Sequence, residues 1–113
     1  MHEFSVTQSL VDLCKQEAEK NSMISIKRIN IKLGKFTGFS PDSIRFYFEI
    51  LKPDSRLQDA QLNFKEIPIV IKCDNCKKKI TIEEPIMICP ECGHSDIELI
   101  SGREFFVESI EGE

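Results

Sequence analysis

The fold of this chain is decided by two short cysteine motifs, Cys73–Cys76 (Cys-Asp-Asn-Cys) and Cys89–Cys92 (Cys-Pro-Glu-Cys). Each motif predicts a tight turn that directs two thiolates toward one point, and the two turns together supply four sulfur ligands. Four soft thiolates favour Zn²⁺ in a closed tetrahedron, although an iron centre fits the same ligands. Because four sulfurs leave no open position for water, Cys73, Cys76, Cys89 and Cys92 predict a structural rather than a catalytic metal site.

Two disulfides or a thiol redox pair are the alternative use of these cysteines. The first five residues, Met-His-Glu-Phe-Ser, lack the basic and apolar regions of a secretory signal. No apolar run approaches the length of a membrane span, so we expect no membrane insertion. A cytoplasmic location follows as the expectation, and reducing surroundings favour metal ligation over disulfides.

The rest of the chain predicts an α+β body with a small metal-held insert. A capping box from Ser5 to Gln8 predicts a first helix over residues 6–20, which Asn21 would end in a left-handed conformation, with Cys14 as a small buried hydrophobe. Alternation predicts a strand over residues 24–33, with one slip near Lys27 and Arg28. Ser40 and Pro41 predict the start of a second helix, which Pro53 would end. Further strands are expected over 60–68, running on into 69–71, and in a hairpin of 80–82 with 86–88. Two extended apolar pieces are expected between Ile97 and Ile110, on either side of Ser101 and Gly102.

Charge bears on the class of partner. The 113 residues include 15 Lys and Arg against 19 Asp and Glu, a formal net charge of −4. Unspecific binding to nucleic acid requires clustered positive charge, so this balance disfavours it. The alternative function is nevertheless a nucleic-acid-binding zinc ribbon, since Lys77–Lys79 offer a local basic run beside the first cysteine motif. A solvated lysine face is the simpler interpretation of that run.

The first residues carry a second arrangement of metal donors. An α-amino group, the amide nitrogen of His2 and its imidazole form fused chelate rings around one ion. Deprotonated amide nitrogens suit the square-planar preference of Ni²⁺ or Cu²⁺. The amide or carboxylate of Glu3 supplies a further donor, whereas a histidine in a solvated tail is the simpler alternative.

Several segments resemble the HypA family of hydrogenase nickel-insertion chaperones, nearly from end to end. The resemblance rests on Met1-His2-Glu3 and Ser5, the segment Ser40–Phe46, Ala60–Leu62, the two cysteine motifs and Ser101–Glu104. It implies two helices packed on a three-stranded sheet, with a small β zinc-ribbon lobe inserted before the last strand. The implied domains are a nickel-binding domain of residues 1–68 plus 102–113 and a zinc-binding domain of residues 69–101.

The resemblance also implies a function and a set of ligands. Met1, His2 and Glu3 would bind Ni(II) transiently, and the four cysteines would hold a structural Zn(II). The protein would deliver nickel to the large subunit of [NiFe] hydrogenase together with the GTPase HypB, without catalysis of its own and without nucleic acid. Homodimer formation and any role of His94 at the zinc site stay open.

Overall fold

Helix α1 runs over Glu3–Lys20 in the computed structural model, which describes residues 2–52 and 55–113. The predicted N-cap at Ser5, with the helix beginning at residue 6, is wrong, because His2 is the N-cap residue and Ser5 lies in the first turn. At the other end, the Met23 N–H donates to the Ala18 carbonyl over 2.8 Å and Ser22 has a φ of 53°. Ser22, rather than the predicted Asn21, therefore occupies the left-handed position that ends the helix. The buried side chains of α1 form one stripe: Glu3, Thr7, Leu10, Val11, Cys14 and Ala18.

Strand β1 covers Ile26–Gly34 and shows the predicted slip, because Lys27 and Arg28 are both exposed between buried isoleucines. A 3-10 turn over Lys35–Thr37 follows, and helix α2 then covers Pro41–Leu51. The Ser40 hydroxyl accepts the Ser43 N–H over 3.2 Å, which confirms the predicted N-cap. The predicted stop at Pro53 lies outside the described residues.

The first of two compact units comprises residues 1–31, 39–65 and 106–113. Strands β2 (Gln61–Ile67) and β6 (Phe105–Gly112) flank β1 in the order β2-β1-β6, so the last strand of the chain pairs with the first one. A 3-10 turn over Ser55–Leu57 precedes β2. Ser25 and Glu113 exchange two backbone hydrogen bonds, as antiparallel neighbours do. The buried hydrophobic side chains of this unit include Leu10, Val11, Cys14, Ala18, Ile26, Ile29, Ile31, Ile44, Phe48, Leu57, Ala60 and Leu62.

The second unit comprises residues 32–38 and 66–105. Its sheet has the order β4-β3-β5, from β3 (Ile69–Cys73), β4 (Lys79–Ile82) and β5 (Ile97–Ser101), and both pairings are antiparallel. The segment around Gly34 packs directly on the backbone of Gly102, whose carbonyl accepts the Phe36 N–H over 2.8 Å. A Cβ at position 34 would lie 1.9 Å from the Gly102 oxygen, so only glycine fits there.

Two strand predictions are wrong in this unit. Residues 86–88 form no strand, and β4 pairs with β3 instead, placing Ile80 opposite Ile71. Ile86 and Ile88 are 58% and 50% exposed, so this segment has no buried face that would hold it in a sheet. The predicted continuous strand through residue 71 is also divided, because Pro68 separates β2 and β3, which belong to different sheets.

The α+β class is confirmed, because the described residues form two α-helices and two small three-stranded sheets. The assignment of residues 1–68 plus 102–113 to nickel and 69–101 to zinc stays a prediction. Neither α1 nor α2 has the length and apolar character that a bilayer crossing requires, within the residues that the structure describes.

Candidate metal centres

The two cysteine motifs form turns with the same backbone hydrogen bonds. In the first, the Cys73 carbonyl accepts the Lys77 N–H over 2.8 Å and the Cys73 N–H donates to Lys78 over 3.0 Å. In the second, the Cys89 carbonyl accepts the Gly93 N–H over 2.8 Å and the Cys89 N–H donates to His94 over 2.9 Å. The residue after each second cysteine is left-handed, with φ of 63° at Lys77 and 76° at Gly93. A glycine adopts this conformation without strain, whereas a lysine does not.

These turns bring all four sulfurs together. The ligand atoms of Cys73, Cys76, Cys89 and Cys92 lie within 4.8 Å of one another. The Cys73 and Cys92 sulfurs are 3.5 Å apart, and those of Cys76 and Cys89 are 3.8 Å apart. Four sulfurs that each lie about 2.3 Å from a central Zn²⁺ in a tetrahedron are about 3.8 Å from one another. The donor set and its spacing therefore fit zinc.

Burial distinguishes the four thiols. Cys73 and Cys89 are buried, Cys76 is half-buried and Cys92 is exposed. The backbone amide of His94, and then the side chain of Asn75, lower the pKa of Cys92 to about 6. Because a metal binds the thiolate, these hydrogen bonds favour the ligand form at neutral pH. Sequence reasoning missed Asn75, since the two middle residues of a Cys-x-x-Cys motif carry no requirement that identifies them.

The lysine run beside the first motif is not uniform. Glu91 lies 2.9 Å from the Lys78 ammonium and raises the pKa of that group through a hydrogen bond and its charge. Lys77 serves the turn through its left-handed backbone. The interpretation of the run as a solvated face therefore needs one amendment, because Lys78 is paired with an acid of the second motif.

The candidate nickel ligands lie at the start of α1. His2 is exposed and caps the helix with its carbonyl, which accepts the Val6 N–H over 3.0 Å. That bond is the first of the helix, so the amides of His2 and Glu3 precede the intrahelical ladder. Met1, the third predicted ligand, lies outside the described residues.

Glu3 points inward. The residue is only 5% exposed, and its Oε2 accepts the Ser40 N–H over 3.2 Å. Ser40 caps α2, so the carboxylate also lies at the positive end of that helix dipole. Thr7 donates its hydroxyl to the Glu3 carbonyl over 2.5 Å. Of the two Glu3 donors that the sequence suggested, the backbone amide precedes the helical ladder, whereas the carboxylate is engaged with α2.

Aromatic side chains stand beside this end of α1. The rings of Phe4 and Tyr47 meet edge to face at 5.5 Å, and Phe46 meets Tyr47 at 5.4 Å. Phe4 is 47% exposed and Phe46 is 63% exposed. An apolar surface thus begins two residues from His2.

The fifth cysteine, Cys14, is fully buried, which confirms its prediction as a small hydrophobe.

Comparisons with known proteins agree on one family. The model of the family described as "Hydrogenase/urease nickel incorporation, metallochaperone, hypA" matches residues 1–112. Relatives named hydrogenase maturation factor HypA include one from Desulfatibacillum aliphaticivorans, 38% identical over 98% of this chain and 86% of its own length. Another, from Caldanaerobacter subterraneus subsp. tengcongensis, is 37% identical over the full length of both chains.

Solved structures agree on the fold. The solution structure of the Ni metallochaperone HypA from Helicobacter pylori has a TM-score of 0.68 at 24% identity, covering 99% of this chain and 97% of that one. A second solution structure of a HypA protein has a TM-score of 0.71 at 24% identity, covering 100% and 97%. The full-length family match, together with the four clustered cysteines and the α+β fold, shows that this chain belongs to the HypA family of nickel metallochaperones for hydrogenase maturation, which are not enzymes.

Proposed function

We propose that this protein binds Ni(II) through Met1, His2 and Glu3 and delivers it to the large subunit of [NiFe] hydrogenase. The observation that carries the proposal is the exposed His2, which caps a helix whose first amides precede the hydrogen-bond ladder. Nickel is the cargo here, and the delivery takes place in the cytoplasm together with the GTPase HypB.

The position of His2 at a helix start supports amide ligation. A backbone amide becomes a nickel ligand only when it loses its proton, and inside a helix that loss would also break a hydrogen bond. The amides of His2 and Glu3 have no intrahelical acceptor to lose. The positive end of the helix dipole further favours the deprotonated form of nitrogens at this end.

The inward orientation of Glu3 holds one part of the candidate nickel site in place. Its carboxylate is bonded to Ser40, so the helix start is held against α2 while the imidazole of His2 faces solvent. A site with one exposed side-chain donor can exchange ligands with an acceptor one at a time. This arrangement supports a carrier that releases its metal rather than one that stores it.

The second metal has a structural role in this proposal. Cys73, Cys76, Cys89 and Cys92 would hold Zn(II), which cross-links the two turns and leaves no position for substrate. Accordingly, residues 69–101 form the zinc-binding domain, and residues 1–68 plus 102–113 form the nickel-binding domain. A lobe of this size has little hydrophobic core of its own, so the metal supplies much of its folding free energy.

The protein partners act at the nickel end. A carrier must bring its cargo within ligand distance of the acceptor, so the acceptor contact includes the surroundings of His2. The exposed rings of Phe4 and Phe46 provide the apolar area that protein contacts there require.

The test uses the two histidines of the chain as a matched pair. Calorimetric titration with Ni(II) should show that His2→Ala abolishes high-affinity binding, while His94→Ala leaves it unchanged. Both variants should retain the zinc content of the parent. A tag left on the N-terminus should weaken binding as strongly as His2→Ala, because it removes the free amine. Unchanged nickel affinity in His2→Ala, or in the tagged protein, would contradict the proposal.

A further inference from the structure

The outer edge of strand β4 is open in the second unit. The sheet order is β4-β3-β5, so within the described residues β4 has a neighbouring strand on one side only. Its residues alternate between exposed and half-buried, with Lys79 and Thr81 exposed. An open edge of this kind pairs readily with a further strand.

The pairing with β3 determines which backbone groups point outward. β3 and β4 are antiparallel, with Ile71 opposite Ile80 and Val70 opposite Thr81. The bond from the Cys73 N–H to the Lys78 carbonyl belongs to the same register, so hydrogen-bonded pairs recur at every second residue, at Ile80 and Ile82. The N–H and C=O groups of Lys79 and Thr81 consequently face away from β3.

The sequence of this edge is complementary to itself. Residues 78–84, which are β4 with its flanking residues, read Lys-Lys-Ile-Thr-Ile-Glu-Glu. The charges reverse about Thr81, and Glu83 directly follows the last residue of β4. When two copies pair antiparallel about Thr81, Lys79 of each copy lies opposite Glu83 of the other, and each Ile80 lies opposite an Ile82. The outward-facing groups at Lys79 and Thr81 are those that this register uses. A partner of unrelated sequence would not require the reversal.

We infer that β4 forms the contact of a symmetric dimer, in which two copies of the chain pair antiparallel about Thr81 into one six-stranded sheet. A two-fold contact of this type uses the same surface on both subunits. It gives Lys79 and Glu83 opposite charges across the strands, a pairing that stabilises sheets. The inference is independent of where nickel binds.

An apolar groove next to β4 adds to the contact. Its volume is about 460 Å³, and it is lined by Thr81, Ile82, Glu83, Glu84, Ile86, Ile88 and Pro90. Ile86 and Ile88 are at least half exposed in the single chain. Within the single chain Glu83 forms an ion pair with Lys35 at 3.8 Å, and the Glu83 side chain is 83% exposed. An ion pair this exposed is weak, so it would compete little with a pairing of Glu83 with Lys79 of a second copy.

The test is a charge-swap experiment on the zinc-loaded full chain, followed by sedimentation equilibrium. The parent should show a concentration-dependent monomer–dimer equilibrium. Lys79→Glu places Glu opposite Glu, and Glu83→Lys places Lys opposite Lys, so each variant alone should self-associate about tenfold more weakly. An equimolar mixture of the two should regain the parental dimer, because both cross-strand pairs are restored in the heterodimer.

Controls separate this contact from net charge and from misfolding. Lys27→Glu and Asp12→Lys make the same charge changes at exposed positions of the first unit and should leave the equilibrium unchanged. Thr81→Pro removes the central outward N–H but not the N–H groups that bond to β3, so it should weaken the dimer while zinc content stays parental. The inference would be overturned if the parent protein stayed monomeric, or if the charge-swapped variants dimerised as strongly as the parent. It would also be overturned if the equimolar mixture dimerised no more strongly than each variant alone.

Discussion

The left-handed backbone at Lys77 leads to a prediction whose sign is opposite to the usual one. At most positions alanine is more stable than glycine, because glycine loses about 0.5–1 kcal/mol more backbone entropy on folding. At Lys77 the φ of 63° makes any residue with a Cβ unfavourable by about 1–2 kcal/mol. Lys77→Gly should therefore be more stable than Lys77→Ala by about 0.5–1 kcal/mol.

The comparison of two variants at one position isolates the backbone effect. Both substitutions remove the lysine charge, so any attraction of that charge to the thiolates cancels between them. In the second turn Gly93 holds the equivalent position with φ of 76°, and no atom lies within 4 Å of an added Cβ. Gly93→Ala should thus lose about 1 kcal/mol through conformation alone, without a steric clash.

Zinc affinity reports this difference, because metal binding and folding of a small metal-held lobe are coupled. A free-energy difference of about 0.7 kcal/mol corresponds to about a threefold change in apparent affinity. Competition with a chromophoric chelator should rank Lys77→Gly above Lys77→Ala by about this factor, and the parent above Gly93→Ala. If Lys77→Ala bound zinc as tightly as Lys77→Gly, the left-handed turn would not limit this lobe and the reasoning would be refuted.

Three further predictions concern stability and reactivity. Gly34→Ala should lower the free energy of unfolding by at least about 3 kcal/mol in denaturant titrations, because its Cβ would overlap the Gly102 backbone. Gly38→Ala should lower it by only about 1 kcal/mol, because position 38 has open space and only its φ of 71° is unfavourable for alanine. Equal losses in the two variants would contradict this prediction. Cys73→Ala should abolish stoichiometric zinc and the amide protection of β3 to β5 in hydrogen exchange while α1 stays protected, and retained zinc would argue against the four-sulfur site. Burial, and then the charge of Glu17, raise the pKa of Cys14 from 9.0 to about 12, so a thiol reagent at pH 8 should modify it only on unfolding. This raised pKa does not affect the free energy of unfolding below pH 9, because the Cys14 thiol is protonated in both states. Between pH 9 and 12 the free energy of unfolding should fall, because the thiol ionises in the unfolded state first, and Cys14→Ala should not show this fall in unfolding titrations.

The sequence predicted best those features that depend on local chemistry. Ser40 followed by Pro41 predicted the start of α2, and the structure has the corresponding N-cap hydrogen bond. The cysteine spacing likewise predicted the gathering of four sulfurs, because each motif determines its own turn. The break in the alternating pattern of β1 at Lys27 and Arg28 was also predicted, since two adjacent charged residues interrupt the alternation of apolar and polar positions there.

Features that depend on distant contacts were missed. The capping box at Ser5 satisfies a local rule, yet α1 begins three residues earlier than predicted, where the Glu3 carboxylate reaches the Ser40 amide 37 positions away. Ile86 and Ile88 have strand-forming side chains but no sheet neighbour, because β3 already takes up β4. The left-handed conformation of Lys77 was not predicted, since lysine has no preference for that backbone.

The unequal burial of the four sulfurs determines the order in which the cluster would lose its ligands. Cys73 and Cys89, the first cysteine of each motif, are shielded by protein, whereas Cys92 faces solvent. An oxidant or a competing chelator therefore meets the cluster at one corner. Loss of the cluster would begin at the outward sulfur and reach the interior pair last.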